Sequence, residues 1–297
     1  MTTNHFNQYE NALHEQLLKL FHLVEKRRFS NHLGPKLYCN FQKFALIVLF
    51  KRSGKALRKF IKELPESRWI KWLGFCEIPS KTSLHRWIKE YSTKSLREFI
   101  QTLLKSEKPS LMAIDATGLE SWQRSKHYEN RLKDFGVRNP YQPYAKVDFL
   151  VDTKTLCIHE FRMRLKPRHD VLGAKELFKR TRLKGVKVLG DKGYDSEELH
   201  KLARQNNIEL YAPVRNTSRK SPKGFWRRKC KCADPDYSRR STVESVMHAF
   251  KSQVHNLRSK LHYMKKKELA LAVLVYNIEK MVNTLQAIFG VMMKVRF

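Results

Sequence analysis

The stretch VKVLGDKGYDSEELHKLARQNNIELYAPV, residues 186–214, decides the fold. VKVLGD is a short apolar run that ends on a carboxylate, and DKGYD after it carries turn chemistry. SEELHKLARQNN repeats its apolar residues at helical spacing, and IELYAPV returns to an apolar run. Strand, turn, helix, strand is the repeating unit of an α/β sheet. Upstream, DVLGAKELFKRT (170–181) reads as a helix, and LMAID (111–115), YAKVDFLVD (144–152) and LCIHEFRMRL (156–165) read as three strands.

Three strands, helix, strand, helix, strand, helix is the element order of a ribonuclease-H-like mixed sheet flanked by helices, so the expected class is α/β. That order concerns fold and carries no function by itself. After IELYAPV comes a basic loop rich in Gly and Pro, residues 215–236, and two helices, about 238–258 and 265–285, close the chain. Before LMAID the polar break KSEKPS (105–110) separates two grammars, which places domains at 1–106 and 107–297. The first is all-α: LHEQLLKLFHLVEKRRF, FQKFALIVLFKRSGKALRKFIKEL and SLREFIQTLLK repeat apolar residues at three and four. Between them, RWIKWLGFCEIPSKTSLHRWIKEY is broken at Gly74 and Pro79, and Ser80 is placed to cap a helix bearing Lys81, His85, Arg86 and Lys89. This reads equally as a helix-turn-helix or as an ordinary helical hairpin.

Lys and Arg number 60 against 28 Asp and Glu, a formal charge of +32 over 297 residues. A compact state with this charge repels itself unless an anionic partner screens it, and the charge runs along the whole chain as expected for nucleic acid. A solvated basic surface is the blander account. The longest apolar runs, FALIVLF (44–50) and LALAVLV (269–275), are too short to span a bilayer, and the N-terminus is polar. Five scattered cysteines make no disulfide framework. A soluble chain in a reducing cytoplasm, without a membrane partner, is the expectation. Cys230 and Cys232 form a lone C-x-C that does not read as zinc, and KGFWRRKCKC around them reads as a tract for a phosphate backbone.

Asp115 ends the apolar run LMAI, and Asp191 follows VKVLG at the carboxyl end of its strand, where open α/β sheets build their sites. Either alone is also explained as a turn former or a satisfied polar residue. If the first and fourth strands lie side by side, the two carboxylates face each other, and oxygen ligation suits Mg²⁺ or Mn²⁺. YSRRSTVESVMHAFK, residues 237–251, puts one glutamate among cations. At about 100° per residue, Tyr237, Arg240 and Lys251 fall within roughly 40° of Glu244, beside an apolar arc of Val243, Val246, Met247 and Phe250. The chemical face reads as a solvated stripe with an i,i+4 pair between Arg240 and Glu244, or as part of a site if the apolar arc packs on the sheet.

Tyr237, Arg240, Glu244 and Lys251 together spell Y-x2-R-x3-E-x6-K, and with IDATG and GDKGYDS in order they resemble the insertion-sequence transposases of the DDE class. The resemblance covers residues 107 to 285 and implies a catalytic and metal-binding triad of Asp115, Asp191 and Glu244 holding two Mg²⁺ (or Mn²⁺). It implies DNA contacts by Tyr237, Arg240 and Lys251, with Arg240 alternatively orienting Glu244. It also implies cutting of DNA at terminal inverted repeats, joining of the 3′-hydroxyl ends to target DNA, and a homodimer in the synaptic complex of a bacterium or archaeon. A catalytically silent DNA-binding relative, or a structure-specific nuclease of the same fold, is the alternative. Some members insert a large β subdomain between the fifth strand and the glutamate helix, and here that segment is short. Trp122, Arg124, Lys126 and His127 read as contacts to a flanking base or phosphate or as surface loop, and His169 with Asp170 as helix caps, or else as residues at the edge of the site.

Overall fold

The computed structural model describes residues 2–25, 37–121, 130–131, 134–136, 144–165, 169–215, 222–254 and 256–295. The chain divides into two compact units, Met1–Ser106 with Leu261–Phe297, and Glu107–Lys260. Among the described residues no helix is long and apolar enough to cross a membrane.

The first unit holds α1 (Thr2–Val24), α2 (Asn40–Arg52), α3 (Leu57–Glu63), α4 (Arg68–Trp72), α5 (Lys81–Glu90), α6 (Thr93–Leu103) and a C-terminal helix, His262–Val295. The long periodic stretch from 41 to 64 is split, because Gly54 takes φ +61° and ends α2 before α3 begins. Ser80 caps α5 as expected, its hydroxyl accepting from the Ser83 amide at 3.1 Å. Leu84 and Trp87 are buried, while Lys81, His85, Arg86 and Lys89 are all exposed, so α5 has one packing face and one cationic face. The C-terminal helix was expected with the sheet but packs on α1, α2 and α6. LALAVLV on it is buried along its whole length, so it needs apolar neighbours on every side. Ion pairs fix its register: Lys51 with Glu268 at 3.3 Å, and Arg52 with Glu279 at 3.2 Å and Glu10 at 2.8 Å.

The second unit is built on a five-stranded sheet in the order β3-β2-β1-β4-β5. Its strands are β1 (Leu111–Glu120), β2 (Tyr144–Asp152), β3 (Ile158–Arg164), β4 (Val186–Leu189) and β5 (Ile208–Tyr211). The first three pair antiparallel, and β1 with β4 and β4 with β5 pair parallel. This is the ribonuclease-H-like mixed sheet that the element order predicts. LMAI is apolar throughout because both faces of β1 are covered. On one face Met112, Ile114, Val188 and Leu210 pack on α7 (Asp170–Arg180) and α8 (Glu197–Gln205). On the other, Leu111, Leu189 and Tyr211 cluster with Cys230, and Phe149 meets Phe250 of α10 (Thr242–Gln253) with ring centroids 5.1 Å apart. A small helix, α9 (Phe225–Lys229), lies between β5 and α10 in the chain.

Two helix limits differ from the sequence reading. Residues Tyr237–Ser241 form a 3₁₀ turn before α10, because Lys187 of β4 clamps the preceding segment through Asp234 at 2.7 Å and Asp236 at 3.0 Å. At its other end α10 stops at Gln253, since the Leu257 amide bonds the Glu120 carbonyl at 2.8 Å and draws the chain along the end of β1.

Candidate active site

Ala113 of β1 pairs with Leu189 of β4 in parallel register. Asp115 stands two residues further along β1 and Asp191 two residues past the end of β4, so continuing the register sets them side by side on the face that α10 covers. Asp115 lies opposite Phe149 across β2, and Phe149 packs on Phe250, which fixes α10 over the same strands. Burying such an aromatic side chain contributes about 1.5–3 kcal/mol, and this packing brings Glu244 toward Asp115.

The Asp115 carboxylate accepts from the Ala116 amide at 2.7 Å through Oδ1 and from Arg240 Nη2 at 2.9 Å through Oδ2. Arg240 Nη1 donates to Glu244 Oε1, so one guanidinium bridges two of the three carboxylates. Burial pushes the Asp115 carboxyl above its ordinary range, and the neighbouring Asp191 and Glu244 charges add to this against the pull of the Ala116 amide and Arg240. Arg240 is made more strongly basic, because its bonds and proximity to Glu244 and Asp115 outweigh its own burial. The i,i+4 pair foreseen between Arg240 and Glu244 is present, and it is extended across to the sheet.

Asp191 caps the 3₁₀ turn Lys192–Tyr194, its Oδ1 accepting from the Gly193 amide at 2.7 Å. A Cβ on Gly193 would stand 2.7 Å from that same oxygen, so any larger residue displaces the carboxylate. Tyr237 packs edge-on against Tyr211 at 5.4 Å, and burial raises its phenol pKa, with Arg240 opposing and the Asp191 and Asp115 charges adding. Lys251 is exposed on α10, seven residues and so about 10 Å along the helix from Glu244 on the same side. Five of the six expected residues therefore gather beside the middle of β1 and just past the end of β4, and Lys251 extends the face outward.

His169 stands at the N-cap of α7 without a side-chain capping bond, so the expected cap is not made by its ring. Its carbonyl accepts from Arg164 at 3.2 Å, and Asp170 pairs with Lys146. Trp122, Arg124, Lys126 and His127 lie outside the described residues. Sequence reading passed over a buried pair on the opposite face, where Arg164 Nη2 reaches both oxygens of Asp148 at 2.7 and 2.9 Å. It also passed over Asp195, whose partner Arg227 sits in the basic tract read as phosphate-facing. Neither has a periodic signature; a charged residue amid VDFLVD was the available signal for the first.

Among the described residues, no three carboxylate, imidazole or thiol side chains converge closely enough to form a ready metal cage. The donor set nevertheless fits a hard divalent cation in kind. It is all oxygen, and two of its carboxylates already share a cationic partner in Arg240.

Residues 106–278 match a family described as the transposase DDE domain. The chain belongs to that family. The DDE transposase chain also resembles solved structures. A piggyBac transposase synaptic complex with hairpin DNA is 13% identical, over 90% of this chain and 71% of that one, with a TM-score of 0.44. The catalytic core domain of BIV integrase is 12% identical, over 56% and 80%, with a TM-score of 0.31. Mos1 transposase in a paired-end complex with its left transposon end is 11% identical, over 76% and 81%, with a TM-score of 0.22. Comparison with curated proteins gives no match.

Proposed function

We propose that this DDE transposase chain cuts DNA at the ends of its own insertion sequence and joins the freed 3′-hydroxyl ends to target DNA, with Asp115, Asp191 and Glu244 as the catalytic carboxylates. One observation carries the reading: Asp115, midway along β1, lies beside the chain leaving parallel β4 at Asp191, and Glu244 is linked to Asp115 through the Arg240 guanidinium. Two Mg²⁺ (or Mn²⁺) held by these three side chains would strengthen the attacking oxygen and neutralise charge on the leaving one. The first step is hydrolysis: water adds to the phosphorus at the element boundary, and the P–O bond to the 3′ oxygen breaks to leave a 3′-hydroxyl. In the second, that hydroxyl attacks a target phosphodiester, forming one P–O bond as another breaks, with no net change in the number of phosphodiesters.

Arg240 holds Glu244 and Asp115 in mutual register with the two arms of its planar fork, while Lys251 acts as a point charge further along the strand. Tyr237 borders the phosphate from the Tyr211 side. The helical region 1–106, with the exposed cations of α5, recognises the terminal inverted repeat in this reading. Two chains acting as a homodimer bring two ends together in the cytoplasm of a bacterium or archaeon.

The test is cleavage of a labelled duplex carrying the element's terminal repeat, with Mg²⁺, with EDTA, and with Asp191→Ala and Glu244→Ala chains. Metal-dependent nicking that leaves a 3′-hydroxyl at the repeat boundary and disappears in both variants is expected. Cleavage that survives Glu244→Ala sinks the assignment. Tight binding without cleavage by the unaltered chain makes it a DNA-binding protein.

A further inference from the structure

The turn that carries Asp191 is held by more than the sheet. Just after it stands Asp195, whose side chain is fully buried. Arg227 of α9 grips it bidentately, Nε to Oδ1 and Nη2 to Oδ2, both at 2.6 Å. The Arg215 amide donates to Asp195 Oδ2 at 3.0 Å. The Arg215 side chain then reaches back to the turn itself, bonding the Lys192 carbonyl at 2.7 Å and the Gly193 carbonyl at 3.1 Å. Gly193 donates in turn to Asp191. An unbroken chain of hydrogen bonds thus runs from α9 through Asp195 and Arg215 to the Asp191 carboxylate. Burial would raise the Asp195 carboxyl, but Arg227 and the Arg215 amide overcome it and hold the group ionised below the usual range.

The helix at the far end of this chain is also firmly seated. Glu197 of α8 accepts from the Trp226 amide at 3.4 Å and the Arg227 amide at 3.1 Å, and the Arg204 guanidinium lies over the Trp226 ring at 4.7 Å. Phe225, Arg228 and Lys229 on α9, and Lys223 and Lys231 flanking it in the chain, are all exposed. Of the cations in this tract, Arg227 turns inward.

We propose that Asp195, Arg215 and Arg227 are positioning residues for Asp191, and that α9 is a phosphate-facing platform whose seat on the DNA is relayed to that carboxylate. The inference rests on the proposed role of Asp191. Side chains that orient a metal ligand from behind are worth about 10–100-fold in metal affinity or activity. A purely structural role would lower thermal stability and leave metal affinity alone.

Mn²⁺ affinity, read by electron paramagnetic resonance without DNA, separates these cases when measured on the full chain, on Arg227→Gln, on Arg215→Met and on Asp191→Ala. Both positioning variants are expected to bind Mn²⁺ about 10–100-fold more weakly and to lose kcat on the terminal-repeat duplex to a similar degree, with KM within about threefold. Arg215 is exposed and its backbone is untouched by the change to Met, so it serves if Arg227→Gln does not fold. Wild-type Mn²⁺ affinity in the folded variants, alongside its loss in Asp191→Ala, overturns the positioning role and spares the catalytic reading. Unchanged affinity in Asp191→Ala overturns both.

Discussion

Replacing Arg164 by Met tests how the strand that carries Asp115 is supported from behind. Asp148 on β2 faces Ala116 of β1, one residue from Asp115, and its side chain is fully buried. Arg164, itself 6% exposed, is the cation on that carboxylate. Burial outweighs Arg164 and lifts the Asp148 carboxyl to about 6, so the pair holds its charge near neutrality at a substantial desolvation cost. Removing the arginine leaves a buried carboxylate uncompensated, which costs about 3–5 kcal/mol. For a unit of this size that corresponds to a fall in Tm of roughly 6–20 °C. The deficit should shrink on acidification: without Arg164 the folded pKa moves higher still, the folded state then binds a proton that the unfolded state does not, and stability rises as pH falls from 7 toward 4. Hydrogen exchange of the β1 and β2 amides, with thermal melts at pH 7 and pH 5, measures both effects. An Asp148→Leu/Arg164→Met chain should recover most of the loss, because well-packed apolar replacements of buried pairs are often neutral. A single-mutant cost below about 1 kcal/mol, or a double mutant as unstable as the single, would refute the idea that the pair supports the sheet through charge compensation.

Two further outcomes follow from the geometry. Gly193→Ala places a methyl against Asp191 Oδ1, and a misplacement of this kind is expected to slow end cleavage by up to about 10²-fold while circular dichroism and DNA binding stay close to normal. His200 is buried 4.0 Å from the Cys230 sulfur, and burial lowers its pKa, with Arg204 and Arg227 acting in the same direction against Glu197 and Asp195. The unfolded chain therefore takes up this proton first, and the sheet unit loses stability as pH falls through 6.5; His200→Gln should flatten that part of a urea-melt pH profile, in the direction opposite to Asp148.

The sheet was legible because its signals are local. β2 runs over the nine residues of YAKVDFLVD, and α7 and α8 begin within one residue of their expected starts. The carboxylates Asp115 and Asp191 were legible because each ends an apolar run, although β1 itself continues past Asp115 to Glu120. What stayed hidden depends on contacts distant in the chain. The C-terminal helix gives no hint in its own sequence that Glu268 and Glu279 answer Lys51 and Arg52. KGFWRRKCKC looks uniformly basic, yet Arg227 is spoken for by a carboxylate 32 residues earlier. Composition averages such residues together, whereas the fold assigns one of them inward and the rest outward.

The four-residue spacing of Arg240 and Glu244 has a physical role in this arrangement. Lys187 draws Asp234 and Asp236 onto β4, so the chain enters α10 through a tight 3₁₀ turn and not along a straight helix. Arg240 therefore sits at the junction, where one arm of its guanidinium reaches Asp115 across the sheet and the other reaches Glu244 one turn ahead. Inserting or removing one residue between them would turn Glu244 by about 100° about the helix axis and carry it off that arm. In a chain with a formal charge of +32, three neighbouring carboxylates are not scarce compensation for excess cations. They are a local concentration of negative charge that burial makes costly at Asp115, and the arginine spacing is what keeps two of them together on the face where Asp191 emerges.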